Sequence, residues 1–390
     1  MRVSTGLEAL LEEAPARVAG RRIGVLVHPA SVDGALVDSV TRLRAAGAHI
    51  MAHFGPEHGL AGQAQDMEPV GHDGASARHH SLYGDSFASL SPQSAWLEGL
   101  DAVVVDLQDV GSRYYTFVWS TLLMARACAA EGVEVIVCDR PNPLGGLRVA
   151  GPPQLPSLRS FVGLEATPVE HGLTYGELLA WRARVEGLDN VSVAPMRGWE
   201  RRHRWHDTGL PWVAPSPNMP TPDTARVYPG GCLLEGTNLS EGRGTTRPFE
   251  WWGAPFLGPG TAFDAALSTG ALTLPGATLR PMQFKPMFHK HAGLNNYGVQ
   301  VHVTDDARFD AFAGYLTLIG HAAQCEGFAW RREPYEFVTE HPAIDLLTGD
   351  PGFREALSGP VSGHAEALAT LGRDRLDAWV AEAPSRWLYR

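Results

Sequence analysis

The chain is short of cysteine, short of positive charge and without a long apolar run, and each shortage removes a class of function. Only 4 cysteines occur in 390 residues. Cys128, Cys138, Cys232 and Cys325 form no C-x-x-C pair, so reduced, buried thiols are expected rather than disulfides or a cysteine zinc site. Lys and Arg number 32 against 43 Asp and Glu, a net charge of −11. With no basic stripe to meet phosphates, nucleic acid is not an expected partner. No apolar run reaches the roughly 18 residues of a membrane-spanning helix, so no membrane is expected either. The first segment, "MRVSTGLEALLEEAPARVAG", is broken by Glu8, Glu12 and Glu13, unlike a secretory leader, and a reducing cytoplasm is the expected location.

Several catalytic signatures are missing too. The first strand-like run opens into "VHPASVDGA" rather than G-x-G-x-x-G, and no Walker A sequence occurs, which disfavours a dehydrogenase and a nucleotide-triphosphate enzyme. "EGRGTT" has G-x-G spacing without the strand–helix setting. No G-x-S-x-G elbow is present, and no cysteine sits in a polar turn. His58, His72, His79 and His80 cluster with Asp66 and Asp73 between them, but nothing matches H-E-x-x-H. No metal and no cofactor are expected, and a metal-dependent hydrolase using the His58–His80 cluster stands only as an alternative.

What is present reads as an α/β protein. Apolar runs at 21–32, 49–54, 101–111, 133–143 and 190–196 alternate with helical spacing at 35–47, 112–132 and 174–187. The alternation predicts a Rossmann-like, doubly wound, mostly parallel sheet. Residues 205–260 are rich in Pro, Gly, Trp and Asn, with no clear period. Beyond them "YGVQVHVTD" alternates as a strand and "DAFAGYLTLIGHAAQ" is an amphipathic helix. A catalytic domain over 1–250 and a smaller α+β domain over 251–390 are expected, with the active-site cleft between them.

In such sheets ligands bind beyond the carboxyl ends of the strands. The expected strand ends carry His28; Glu57 and His58; Asp106, Gln108 and Asp109; and Asp139, Arg140 and Asn142. Carboxylates suit glycoside cleavage, which needs a proton donor at the leaving oxygen and a second group at the anomeric carbon. The donor has to hold its proton near neutral pH, which partial burial favours, and the apolar strand before Glu57 offers such surroundings. Arg113 and Tyr114 open a helix at the same rim, where an anion is welcome; Tyr115 reads as first-turn packing. Arg243 and Thr245 in the glycine-rich loop, and Asn142, Asn218 and Asn238, offer groups for a carboxylate, hydroxyls and an acetamide. Asp106 equally suits an N-cap, Glu241 a solvated loop charge, and the asparagines turns. Trp251 and Trp252 read as interdomain core.

The ordered motifs "FGPEHGLAG", "DLQDVGSRYYTF", "DRPNPLGG", "PSPNMP" and "EGTNLSEGRGTTRPFE", with "YGVQVHVTD", "RREPYEF" and "PAIDLLTG" further on, resemble the NamZ-type exo-β-N-acetylmuramidases. The resemblance runs from about residue 20 to past 350. It implies a peptidoglycan glycoside hydrolase that releases terminal N-acetylmuramic acid from the non-reducing end of muropeptide fragments in cell-wall recycling. It implies Glu57 as catalytic acid, with Glu241, or in competition Asp106, as second carboxylate. The sugar's lactyl carboxylate would need a cation, which Arg113 or Arg243 could supply. Attack by the 2-acetamido group, direct displacement by water and elimination all remain open, and a non-catalytic muropeptide-binding protein is the other alternative.

Overall fold

The computed structural model describes residues 2–57, 59 and 79–390. Six strands build the main sheet: β1 (Arg22–Val27), β2 (His49–Gly55), β3 (His79–Ser81), β4 (Ala102–Asp106), β5 (Glu134–Cys138) and β6 (Val191–Ala194). They are all parallel, in the order β3-β2-β1-β4-β5-β6. The chain therefore starts in the middle of the sheet, moves to one edge, and returns to build the other half, as the doubly wound layout requires.

Period-two alternation explains why these runs are apolar throughout. Ala102 and Val104 of β4, with Ile23, Val25 and Ile136, face a core closed by Leu7 and Leu10 of helix α1 (Gly6–Glu13) and Leu43 of α2 (Ser39–Ala45). Val103 and Val105, with Leu26, Val135 and Val137, face the opposite core. A strand with both faces buried has no polar position to give away. Helix α1 starts at Thr5, whose side chain accepts from Glu8 N while the Glu8 carboxylate accepts from Thr5 N. The short α3 (Ser94–Leu97) precedes β4.

The second core holds α4 (Phe117–Ala130) and α5 (Tyr175–Glu186). Phe117, Val118 and Leu122 of α4 are each at most 2 % exposed. Burial of side chains of that size stabilises by about 1.5–3 kcal/mol each. The expected helix start at Ser112 moves to Thr116, because residues 112–116 form a turn whose Arg113 N donates to Val169 O.

The same core runs without a break into the second lobe. There α6 (Pro222–Gly231), α7 (Ala262–Ser268) and α8 (Ala311–Ala322) accompany an antiparallel sheet. It is made of β7 (Trp251–Ala254), β8 (Ala277–Phe284) and β9 (Asn296–Val303), in the order β7-β9-β8. Trp252 is fully buried against Phe263. Arg113 staples the two lobes together. Its guanidinium, 0 % exposed, donates to Pro152 O, Thr167 O and Leu347 O. Among the described residues no helix is long and apolar enough to cross a membrane.

Candidate active site

A cleft lies where the carboxyl edge of the sheet meets the second lobe. Strand β2 ends at Gly55, and Pro56 follows, so Glu57 sits at the strand's carboxyl end in the cleft wall, 8 % exposed. Thr116 occupies the N-cap of α4, yet its hydroxyl does not cap that helix. It donates instead to Glu57 Oε2 at 2.6 Å. A helix start has thus given up its own cap, a change that elsewhere costs about 1 kcal/mol, to orient a carboxylate.

Aromatic rings form one wall. Tyr115 packs edge-on against Phe117 (4.6 Å) and Tyr228 (5.9 Å), and Tyr228 in turn against Phe249 (4.9 Å). The Tyr115 hydroxyl lies beside Ser216 without a well-formed hydrogen bond, and burial pushes its ionisation well above the usual phenol range. It is therefore a neutral, buried hydroxyl of a residue in the cleft lining. Tyr114 also lines the cleft, but its hydroxyl is engaged by Pro229 O at 2.9 Å. Asn218 and Ser216 come from the proline-rich stretch after β6.

The second lobe closes the cleft with charge. Arg243 Nη2 meets Glu235 Oε1 at 2.7 Å, and the Tyr335 hydroxyl donates to Glu235 Oε2 at 2.7 Å. The Arg243 guanidinium also lies 5.2 Å from the centre of the Phe249 ring. Glu336, next in the chain to Tyr335, is 3 % exposed and reaches the Tyr83 hydroxyl at 3.3 Å.

Of the expected site residues, Glu57, Tyr114, Asn218 and Arg243 meet in this cleft. The others are placed elsewhere, each for a visible reason. Asp106 is fully buried in a two-pronged ion pair with Arg140 Nε (2.6 Å) and Nη2 (2.7 Å), and it also takes the Ser39 hydroxyl. It secures the β1–β4 junction and lines no part of the cleft. Arg113 is the lobe staple described above. Its surroundings are backbone carbonyls, and desolvation brings its guanidinium down to about 10, still charged at neutral pH. The lactyl cation expected of it has to come from another residue. Gln108 donates to Asp109 O and Pro141 O. Asn142 bridges Leu173 O and Leu144 N, a turn role. Asn238 pairs with Gly327 O and Ala329 N, tying two loops of the second lobe. Thr245 closes its own turn on Gly242 O.

Glu241 is the largest departure from expectation. It is 0 % exposed and surrounded by His289 Nδ1 (2.9 Å), Lys290 Nζ (3.1 Å) and Arg243 Nε (3.2 Å). Burial pushes its ionisation up, but the Lys290 charge, the His289 hydrogen bond and the Arg243 charge outweigh it and hold the carboxyl well below the usual range. A carboxylate so held is committed to its ion cluster and lines no part of the cleft where a second carboxylate is expected. His58, and with it His72, Asp66 and Asp73, lies outside the described residues. Of the remaining histidines of that cluster, His79 packs edge-on against His53 (4.7 Å) and His80 stacks on Trp96 (4.4 Å).

Sequence reasoning missed Thr116, Ser216, Tyr228, Glu235, Tyr335 and Glu336. "RREPYEF" was available as a signal, since an acid between aromatics in a loop is unusual, but nothing local ties it to Glu57.

Similarity to known proteins covers both lobes. Residues 23–223 match the model described as exo-β-N-acetylmuramidase NamZ, N-terminal, and residues 226–389 the corresponding C-terminal model. The peptidoglycan β-N-acetylmuramidase NamZ of Bacillus subtilis (strain 168) is 41 % identical over 323 residues, 82 % of this chain and 77 % of that protein. Two crystal structures of DUF1343 family proteins from Bacteroides fragilis NCTC 9343 share the fold. One has a TM-score of 0.85 at 29 % identity, the other 0.74 at 26 %, and each alignment covers 100 % of this chain and 99 % of the other. With both family models matched and their junction between residues 223 and 226, the chain belongs to the exo-β-N-acetylmuramidase NamZ family.

Proposed function

We propose that this chain is an exo-acting glycosidase that releases terminal N-acetylmuramic acid from the non-reducing end of peptidoglycan fragments, with Glu57 as the proton donor. The observation that carries the assignment of Glu57 is its position in the cleft, where the Thr116 hydroxyl orients it. As the bond from the anomeric carbon to the bridging oxygen breaks, the Glu57 proton passes to that oxygen and the leaving sugar departs neutral. The aromatic wall of Tyr115, Tyr228 and Phe249 suits the apolar face of a pyranose. Arg243 is the cleft cation for the lactyl carboxylate, already oriented by Glu235, so a sugar without that group would leave a polar site unmatched. Asn218 and the Tyr115 hydroxyl are placed for the acetamido group or ring hydroxyls.

We read the division between catalytic and auxiliary lobes at the junction of the two family models rather than near 250, since α6 packs against α8 of the second lobe. Cytoplasmic recycling of recovered muropeptides is the setting we infer, supported by four buried free thiols that suit a reducing compartment.

The test is product analysis on a defined disaccharide with N-acetylmuramic acid at its non-reducing end. Free N-acetylmuramic acid is expected, and the same disaccharide with N-acetylglucosamine at that end should stay intact. Binding of the first disaccharide with no cleavage would leave a sugar-binding protein and end the enzymatic reading.

A further inference from the structure

We infer that Glu336 is the second carboxylate of the reaction, acting on the attacking water on the side of the sugar opposite Glu57; the inference rests on the glycosidase reading above. Among the described residues three carboxylates line the cleft: Glu57, Glu235 and Glu336. Both Glu235 oxygens are engaged, one by Arg243 and one by Tyr335, each at 2.7 Å. Asp106 and Glu241, the two residues the sequence offered for this role, are locked in ion pairs outside the lining. Glu336 stands in the same lining as Glu57 and is brought there by the other lobe.

Its backbone adds an independent observation. Glu336 and Phe337 both lie in the left-handed region, with φ of 46° and 66°, inside a tight turn closed by Tyr335 and Val338 pairing with each other. Two consecutive non-glycine residues in that region cost roughly 1–2 kcal/mol each. Strain of this kind persists where the surroundings over-determine it, and it gathers at functional sites. Here the turn carries the carboxylate from the second lobe to the cleft, where it is 3 % exposed and meets Tyr83 of the first lobe. The Tyr83 hydroxyl lies 3.3 Å and 3.5 Å from the two Glu336 oxygens, a long contact that links the two lobes. The two lobes thus each bring one acid to the cleft.

The step balances as a hydrolysis. Water forms the new bond to the anomeric carbon and gives one proton to the Glu336 carboxylate. The bond to the bridging oxygen breaks, its electron pair stays on that oxygen, and Glu57 supplies the proton there. Solvent then restores both carboxyl groups to their starting states.

The two roles separate with leaving-group chemistry. Glu57→Gln should fail on the disaccharide and recover on a 4-nitrophenyl glycoside of N-acetylmuramic acid, whose leaving group needs no proton. Glu336→Gln should lose about 10²–10⁴-fold in kcat on both substrates. Glu336→Ala with added azide, an anion that needs no base, should regain turnover and yield the glycosyl azide, which also shows that the variant is folded. The inference is overturned by wild-type turnover of Glu336→Gln, by its recovery on the nitrophenyl glycoside alone, or by a folded Glu336→Ala that azide does not rescue. Failure of the wild-type enzyme to release N-acetylmuramic acid would instead sink the underlying reading, whatever the variants do.

Discussion

Glu57 and Glu241 make an instructive pair. Both follow a strand or a turn in a glycine-flanked loop, and both are buried, at 8 % and 0 % exposure. Glu57 faces an open cleft and accepts one hydroxyl hydrogen bond from Thr116. Glu241 has Arg243, Lys290 and the His289 imidazole within 3.2 Å and no place in the cleft lining. Burial alone therefore does not distinguish the two acids; what surrounds each of them does. Glu241 instead ties the β8–β9 connection, through His289 and Lys290, to the loop that carries Arg243. It shapes the cleft without standing in it.

The comparison breaks most sharply under the isosteric amide. Glu57→Gln should lower kcat on a disaccharide by about 10²–10⁴-fold, equivalent to roughly 3–5 kcal/mol of barrier, with the thermal midpoint unchanged. Steady-state kinetics beside thermal unfolding checks both halves of that statement. Equal losses of rate and stability would place Glu57 with Glu241 as a structural acid.

Glu241→Gln should do the reverse. Removing one partner from a buried charge cluster costs about 3 kcal/mol, because His289, Lys290 and Arg243 are left facing one another. Denaturant unfolding at neutral pH should show that loss. Because the cations hold the Glu241 carboxyl below its ordinary value, its contribution is present above the unfolded carboxyl pKa, near 4.5, and is lost as the pH falls below it. The gap between wild type and variant should therefore close on acidification.

A third buried acid sharpens the contrast by reversing the sign. Glu170 is 4 % exposed, and burial pushes its carboxyl up to about 8, only partly offset by Arg148 and Arg204. A raised value means that the folded form holds the proton longer. The associated stability is complete below about 4.5 and is lost as the pH rises through about 8. Glu170→Gln should gain on the order of 2 kcal/mol over wild type at alkaline pH and nothing at pH ~4. Unfolding midpoints for both proteins across that range would show whether the slope belongs to Glu170.

These contrasts also show what could be read from the sequence. β1, β4 and β5 coincide with apolar runs, because a strand buried on both faces writes itself as consecutive Val, Ile and Leu, while β2 and β6, only partly buried, coincide with mixed runs. β3 was missed: three residues are too few to carry a period. Glu57 was legible because a strand end, a proline and a glycine announce a rim position. Asp106 carries the same local signature and is silenced by Arg140, a partner 34 positions away. Glu336 carried no comparable signal, since its placement depends on the second lobe folding back over the first, a contact no local pattern encodes. Arg113 misled for a related reason: an arginine at a helix start resembles an anion clamp until the carbonyls of residues 346 and 347 arrive around it.

The smallest expected effect concerns Thr116, where the difference between the two acids is made. Thr116 gives Glu57 a single hydroxyl hydrogen bond in place of the guanidinium and ammonium groups around Glu241. Thr116→Val keeps the shape and the packing against α4 but removes the donor. One hydrogen bond to a carboxylate contributes about 1.5–3 kcal/mol where it is fully formed, and part of that survives through the remaining packing, so a fall in kcat of roughly tenfold is expected. KM should change little, because the hydroxyl is directed at Glu57 rather than at the sugar. Thr116→Ser restores the donor without the methyl group and should recover most of the rate. A valine variant with wild-type kcat would show that the wall of the cleft alone orients Glu57; one that raises KM tenfold at constant kcat would move Thr116 from positioning the acid to holding the substrate.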